Sequence, residues 1–447
     1  MKIQYLLVIF CLIFISHTAQ AQINYKENLN YQENIVSWMA EYDVPAVGIG
    51  IIENGEISYL YVFGELQEGI PAPENTIFNI ASITKTVVTM LTLKLVEAGD
   101  WSLDEPLFHY WIDPDVVNDS LHKKLTTRHV LTHQTGFVNW RWNHPTKKLT
   151  FDFEPGTNYQ YSGEGFEYLR HALEKKFGKS LDKLADSLIF KPLLMTDTRF
   201  SWDKGMDESR FAVWHNQEGH KYDISYKTGL CAADDLLTTI EDYCKLGLFI
   251  IDGAGLSSTL YNEMVSPQSN NREFKAQGLG WSIIKGLPDD EYAIYHSGSD
   301  YGVKTIAFFL PKSRRGLVIF TNGDNGFSVI NKIIRNIFDI GNNIYDNMYY
   351  RPNLPKTINV KEEILKKYIG QYKQPDGSII HISKKENILE LSGGRWAKTI
   401  FYPKAENKFF IKEYDIELEF VKNSEGEISN MITYFGGKIN SEAVKLE

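Results

Sequence analysis

Cysteine is scarce in this chain of 447 residues, which has three. Cys11 lies in an N-terminal leader, and the spacing of Cys231 and Cys244 does not decide whether they pair in an oxidising compartment. No segment approaches the ~20 consecutive apolar residues that a membrane-spanning helix needs. The longest apolar run, Tyr5 to Ile15, follows Lys2 and precedes Ala19-Gln20-Ala21, which is the layout of a signal peptide cleaved near Ala21. Cys11 follows Phe10 inside that run, an arrangement that argues against lipid attachment. There is no basic stripe, and the formal net charge of −10 with a pI near 5.7 excludes a nucleic-acid partner. Repeats and low-complexity tracts are absent. His129 and His133 have the i, i+4 spacing of a metal pair, but no Glu motif or third ligand accompanies them, so they read as a helix face and no metal or organic cofactor is expected.

With 43% hydrophobic and 23% charged residues, the composition is that of a globular protein long enough for two or three domains. The strongest chemical signal is Ser82-Ile83-Thr84-Lys85. It sets a hydroxyl and an amine one helical turn apart on the same face. The residues that follow (Val87, Val88, Met90, Leu91, Leu93, Leu95, Val96) are apolar around the whole helix, which predicts a buried central helix. Burial disfavours an ammonium, so Lys85 is placed to accept the Ser82 proton. The same spacing recurs at Ser120/Lys123, Ser180/Lys183 and Ser201/Lys204, in polar surroundings that read as solvated surface.

Two later segments fall in order behind Ser82. Pro155-Gly156 turns into Tyr161-Ser162-Gly163, and Tyr295-His296-Ser297-Gly298-Ser299 ends a short strand-like run (Tyr292 to Tyr295) and precedes another (Val303 to Leu310). The order Ser-x-x-Lys, Tyr-x-[Asn/Gly], [Lys/His]-x-Gly resembles the serine β-lactamase and penicillin-binding-protein superfamily. The resemblance is to its class C-like branch of esterases, D-aminopeptidases and D,D-peptidases, and it spans Val44 to Asn342. Val130 to Phe137, Pro192 to Thr198 and Gly278 to Trp281 fit the same pattern. There is no Ser-Asp-Asn box of the class A type and no Gly-x-Ser-x-Gly elbow of an α/β-hydrolase.

Asn54-Gly55 between Val47–Ile52 and Ile57–Phe63 predicts a β-hairpin. Strand runs return at Tyr292 to Tyr295, Val303 to Leu310 and Gly316 to Thr321, ahead of an amphipathic helix from Phe327 to Ile340. The expected fold is mixed α/β (α+β): an antiparallel sheet flanked by helices with an inserted helical lobe, the cleft lying between them. Arg351-Pro352-Asn353-Leu354-Pro355 reads as a linker. Beyond it, seven short β-rich runs from Tyr368 to Phe435 predict a small all-β barrel, and this segment resembles the lipocalin-like domain appended to such hydrolases. The expected units are a signal peptide (1–21), a serine hydrolase domain (22–352) and a barrel (353–447).

The resemblance implies Ser82 as nucleophile, Lys85 and Tyr161 sharing the proton transfers, and an oxyanion hole of the backbone N–H groups of Ser82 and Ser299. It also implies substrate contacts at His296, Ser297, Gly298 and Gly163. Gly298 would let substrate approach its strand. Tyr345-Asp346-Asn347 matches the tyrosine motif more fully but comes after the third box and reads as packing. Trp140, Trp142 and Trp214 are candidate cleft walls. His296 stands where β-lactamases carry Lys, and a neutral imidazole pairs less well with a substrate carboxylate. Gly163 replaces the usual Asn, whose place Glu164 or a water would fill. These departures point to carboxylic-ester or small-amide chemistry, and with the N-terminal leader the expected protein is a secreted or periplasmic hydrolase with no cofactor, taking a small-molecule ester, amide or peptide. A D-amino-acid-specific peptidase, a low-efficiency β-lactamase and a non-catalytic binder of cell-wall peptides are the alternatives.

Overall fold

A computed structural model describes residues 29–223, 228–394 and 396–446. The expected leader, with Cys11 and the expected cleavage site near Ala21, lies outside the described residues. Among the described residues, ten strands and nine α-helices build the first part of the chain, and no helix is long and apolar enough to cross a membrane. The strands are β1 (Ala46–Glu53), β2 (Glu56–Gln67), β3 (Ile70–Pro71), β4 (Phe78–Asn79), β5 (Leu237–Thr238), β6 (Lys275–Gln277), β7 (Ser282–Ile284), β8 (Ala293–Asp300), β9 (Val303–Leu310) and β10 (Arg315–Thr321). The helices are α1 (Leu29–Glu41), α2 (Thr84–Glu97), α3 (Thr127–Leu131), α4 (Gly163–Phe177), α5 (Leu181–Ala185), α6 (Ile240–Ile251), α7 (Ser258–Met264), α8 (Gly326–Ile337) and α9 (Gly341–Met348).

Eight strands form one antiparallel sheet in the order β3-β2-β1-β10-β9-β8-β7-β6. Asn54 and Gly55 turn β1 into β2 with φ of 54° and 77°, the conformation an Asn-Gly turn supplies. Both sheet faces are covered, so the central strands are apolar throughout rather than alternating. Val47, Ile49 and Ile51 pack with α1, α8 and α9, whereas Ala46 and Ile52 face the core of α2, α6 and the helical lobe. Gly48 and Gly50 lie on that second face because α6 sits on them: a Cβ at Gly50 would stand 2.3 Å from Cys244 Sγ. Cys231 and Cys244 are both free.

The chain then forms a closed eight-stranded barrel, Gly370 to Lys445, around its own apolar core of Tyr372, Ile380, Leu391, Phe409, Phe420 and neighbours. Seven of its strands match the expected runs in place. Lys438–Lys445 is the eighth, and it escapes notice in the sequence because it turns few apolar side chains inward, Ala443 among them. Tyr368 ends a short helix (Glu362–Tyr368) rather than starting a strand. The barrel is tied to the first part by Arg351 with Asp415, by Gln217 Nε2 donating to the Gly394 carbonyl at 2.8 Å, and by the Lys398 N–H donating to Asn325 Oδ1 at 2.8 Å. The expected helix from Phe327 to Ile340 stops at Ile337, and Tyr345 and Asn347 lie in α9, where Tyr345 pairs with Glu413 and Asn347 donates to the Lys285 carbonyl. Both therefore pack, as their position predicts.

Candidate active site

Ser82 sits in one turn of 3₁₀ helix, Ala81–Ile83, that runs into α2. That turn is held from several sides. Thr305 Oγ1 on β9 donates to the Ile80 carbonyl at 2.9 Å, the Ile80 N–H donates to Leu236, and Thr84 Oγ1 bonds Ala81 O at 2.6 Å. Ala81 takes a φ of 47°, a left-handed conformation that costs an L-residue about 1–2 kcal/mol, and its N–H donates to Asn79 Oδ1 at 2.7 Å. Gly298 makes the close approach possible, since a Cβ there would lie 2.4 Å from Ile80 O and 3.0 Å from Ala81 Cβ. The glycine thus lets the turn that carries Ser82 pack against β8.

Lys85 is fully buried in α2. Its Nζ donates to Ser82 Oγ at 3.2 Å and to the Ala233 carbonyl at 2.7 Å, and it lies 4.9 Å from the centre of the Tyr161 ring. Serine and lysine from one turn of chain therefore converge with a tyrosine from a distant one. By contrast Lys123, Lys183 and Lys204 are exposed. A further Ser-x-x-Lys, Ser282/Lys285, opens strand β7, where residues three apart face opposite sides. Its members bond Gln277 and Asn271 instead of each other.

The segment His296 to Ser299 lies within β8 rather than after it. β7 pairs with β8 only from Ala293 to Tyr295, so among the described residues no strand covers the outer edge of β8 beyond that point. Ser299 stands on this open length, one residue beyond Gly298, which packs against the turn that carries Ser82. His296 is buried, its Nδ1 2.8 Å from the Ser297 carbonyl, and burial reinforced by the nearby Lys85 pushes its pKa down to about 3. It is a neutral group at pH 7.

Gly163 begins α4 behind its N-cap Ser162. The Trp140 ring covers it, and a Cβ would meet that ring at 2.8 Å, so asparagine could not stand here without displacing the indole. Glu164 does not fill the vacated place. Its carboxylate is buried against Arg141 at 2.8 Å, and Arg141 also holds Asp113. Trp140 and Trp142 stack 4.7 Å apart and line a cavity of about 570 Å³ with Trp111, Tyr168, Asp234 and Asp300. Trp214 is not on this wall and packs with Ile77 and Phe211.

Two features escaped the sequence reading. The carboxylates of Asp234, Asp235 and Asp300 lie within 4.8 Å of one another. Asp234 follows Ala233, which binds Lys85, and Asp300 follows Ser299. Burial first, then Asp235, raises Asp234 to about 7, with Lys85 opposing. The second is His133. It is not on a helix face with His129, because α3 ends at Leu131 and His133 turns back with a φ of 54° to place its ring 4.4 Å from that of Tyr161.

The buried imidazoles predict an acid-labile fold. His133 and His296 stay neutral in the native state while their unfolded counterparts bind protons below about pH 6.5. Stability therefore falls as pH drops below that value, each group adding up to about 1.4 kcal/mol per pH unit, with the raised Asp234 offsetting one of them. Denaturant unfolding of His296→Gln between pH 7 and 5 should show a slope reduced by about one proton; an unchanged slope would mean that His296 titrates normally in the folded protein.

The Beta-lactamase family model matches residues 32–341. The chain is 23% identical over 436 residues to penicillin-binding protein 4* of Bacillus subtilis (strain 168), covering 88% of this chain and 93% of that protein. It is 28% identical over 218 residues to esterase EstB of Burkholderia gladioli, covering 42% of this chain and 54% of that protein. In fold it resembles the octameric penicillin-binding protein homologue from Pyrococcus abyssi, with a TM-score of 0.63, 21% identity, and coverage of 93% of this chain and 99% of that one.

Proposed function

Because this chain belongs to the Beta-lactamase family and is a serine hydrolase of that fold, we propose that it cleaves a carboxylic ester or small amide through an acyl-enzyme on Ser82. One observation carries the reading: the buried Lys85 amine bonds Ser82 Oγ and lies against Tyr161. Ser82 Oγ attacks the carbonyl carbon, and its proton passes into the Lys85–Tyr161 pair. The same pair returns a proton to the leaving group, and water then releases the acyl group by the reverse sequence. The N–H groups of Ser82 and Ser299 receive the oxyanion. The domain boundaries near residue 352 and export by a leader cleaved near Ala21 belong to the same reading, the latter on the Lys2, apolar-run and Ala19-Gln20-Ala21 pattern alone.

The electrostatics favour substrates without a carboxylate. His296 supplies no cation, and the carboxylates of Asp234, Asp235 and Asp300 cluster on one side, Asp234 following the Ala233 that binds Lys85. A lost hydrogen bond to a charged group is worth about 1.5–3 kcal/mol, roughly tenfold to a hundredfold in rate. The expected result is a higher kcat/KM on p-nitrophenyl butyrate than on a chromogenic cephalosporin. The similarity to a penicillin-binding protein over nearly its whole length favours peptidase chemistry as the second reading, so a D-alanine p-nitroanilide joins the panel. Efficient cephalosporin turnover with weak esterase activity contradicts the ester reading, and preferential anilide cleavage replaces it with the second.

A further inference from the structure

The residues on either side of Tyr161 are both fastened to His133. The Gln160 N–H donates to the His133 carbonyl at 2.8 Å, and the Ser162 N–H donates to His133 Nδ1 at 3.3 Å. Between these two bonds the imidazole lies against the Tyr161 ring, with centres 4.4 Å apart, and Phe166 backs it at 5.7 Å. Thus backbone, ring nitrogen and ring face of one residue grip the tyrosine at three points. His133 is itself buried and fixed in place, its N–H donating to the Val130 carbonyl at 3.1 Å.

We infer that His133 is a positioning residue, which holds the Tyr161 ring against the Lys85 amine without touching substrate. The inference rests on reading Ser82, Lys85 and Tyr161 as the reacting groups. It also fixes a tautomer, because a ring nitrogen that accepts the Ser162 N–H carries no proton, leaving the hydrogen on Nε2. A protonated imidazole would lose that acceptor and release one side of the grip. Burial, with Lys85 and His296 nearby, holds His133 well below the usual histidine range, which favours the neutral, accepting ring. Tyr159 and Tyr161 are the other titratable groups against the ring.

The φ of 54° at His133 is one that asparagine tolerates better than most residues, and Asn Oδ1 occupies the position of Nδ1. His133→Asn therefore keeps the acceptor, whereas His133→Phe keeps a ring and loses it. Misplacing a reacting group by about 1 Å can cost roughly a hundredfold. The expected result on p-nitrophenyl butyrate is a kcat lowered about 10- to 100-fold in H133F with KM little changed, and a kcat within about threefold of the parent in H133N. Equal rates in H133F and parent overturn the inference, as does an H133N as slow as H133F. Should H133F not fold, ¹⁵N NMR of the unmodified protein decides: a neutral Nε2–H imidazole from pH 6 to 9 supports the inference, and an Nδ1–H form or titration in that range overturns it. Fluorophosphonate labelling of the unmodified protein separates the two levels, since loss of labelling at Ser82 removes the underlying reading and not the His133 contact alone.

Discussion

Ser82→Ala should leave a folded protein whose kcat on p-nitrophenyl butyrate has fallen by on the order of a millionfold, the scale seen when a serine nucleophile is removed. The fold survives because Ser82 is only half-buried and its side chain contributes one hydrogen bond, from Lys85 Nζ at 3.2 Å, worth about 1 kcal/mol net. Lys85 keeps its second acceptor, the Ala233 carbonyl. Residual activity within tenfold of the parent, with an unchanged melting temperature, would show that another group makes the covalent bond.

Lys85→Met should have the next largest effect. Methionine matches the length of the lysine stem and suits the apolar surroundings of α2, so the helix should remain packed while the amine disappears. Loss of a positioned proton-transfer group costs about a hundredfold to ten-thousandfold in kcat. The Ala233 carbonyl loses its donor, a penalty of about 1–3 kcal/mol, set against relief from burying an amine. Stopped-flow acylation and thermal melting separate the two consequences. A large fall in melting temperature with acylation intact would make Lys85 a structural residue.

The parts of this architecture that are local are readable in the sequence. Asn54-Gly55 marks the β1–β2 turn, the apolar run after Ser82 gives α2, and the alternating short runs beyond the linker give most of the barrel. Ser82, Lys85 and Tyr161 could be chosen because their motifs fall in a recognisable order. The remaining features depend on contacts between distant stretches, which no local pattern records. Trp140 reaches Gly163 only because Asn139 holds the Gly163 and Glu164 N–H groups. Glu164 looked free to replace a missing asparagine, and Arg141 claims it. Asp300 joins Asp234 and Asp235 only once β8 lies beside the turn that carries Ser82. The i, i+4 spacing of His129 and His133 suggested a shared helix face, but one left-handed residue after α3 sends them apart. Lys438–Lys445 is too polar to announce itself, since closing a barrel requires backbone pairing more than side-chain burial.

The central claim is that Ser82, activated within the Lys85–Tyr161 pair, forms the covalent intermediate. The most direct measurement is peptide mapping by mass spectrometry after reaction of the folded protein with a fluorophosphonate. The account predicts a single stoichiometric adduct on Ser82, lost in Ser82→Ala and slowed in Lys85→Met. An adduct at Ser120, Ser180, Ser201 or Ser282, or none under conditions where the protein turns over esters, would contradict it.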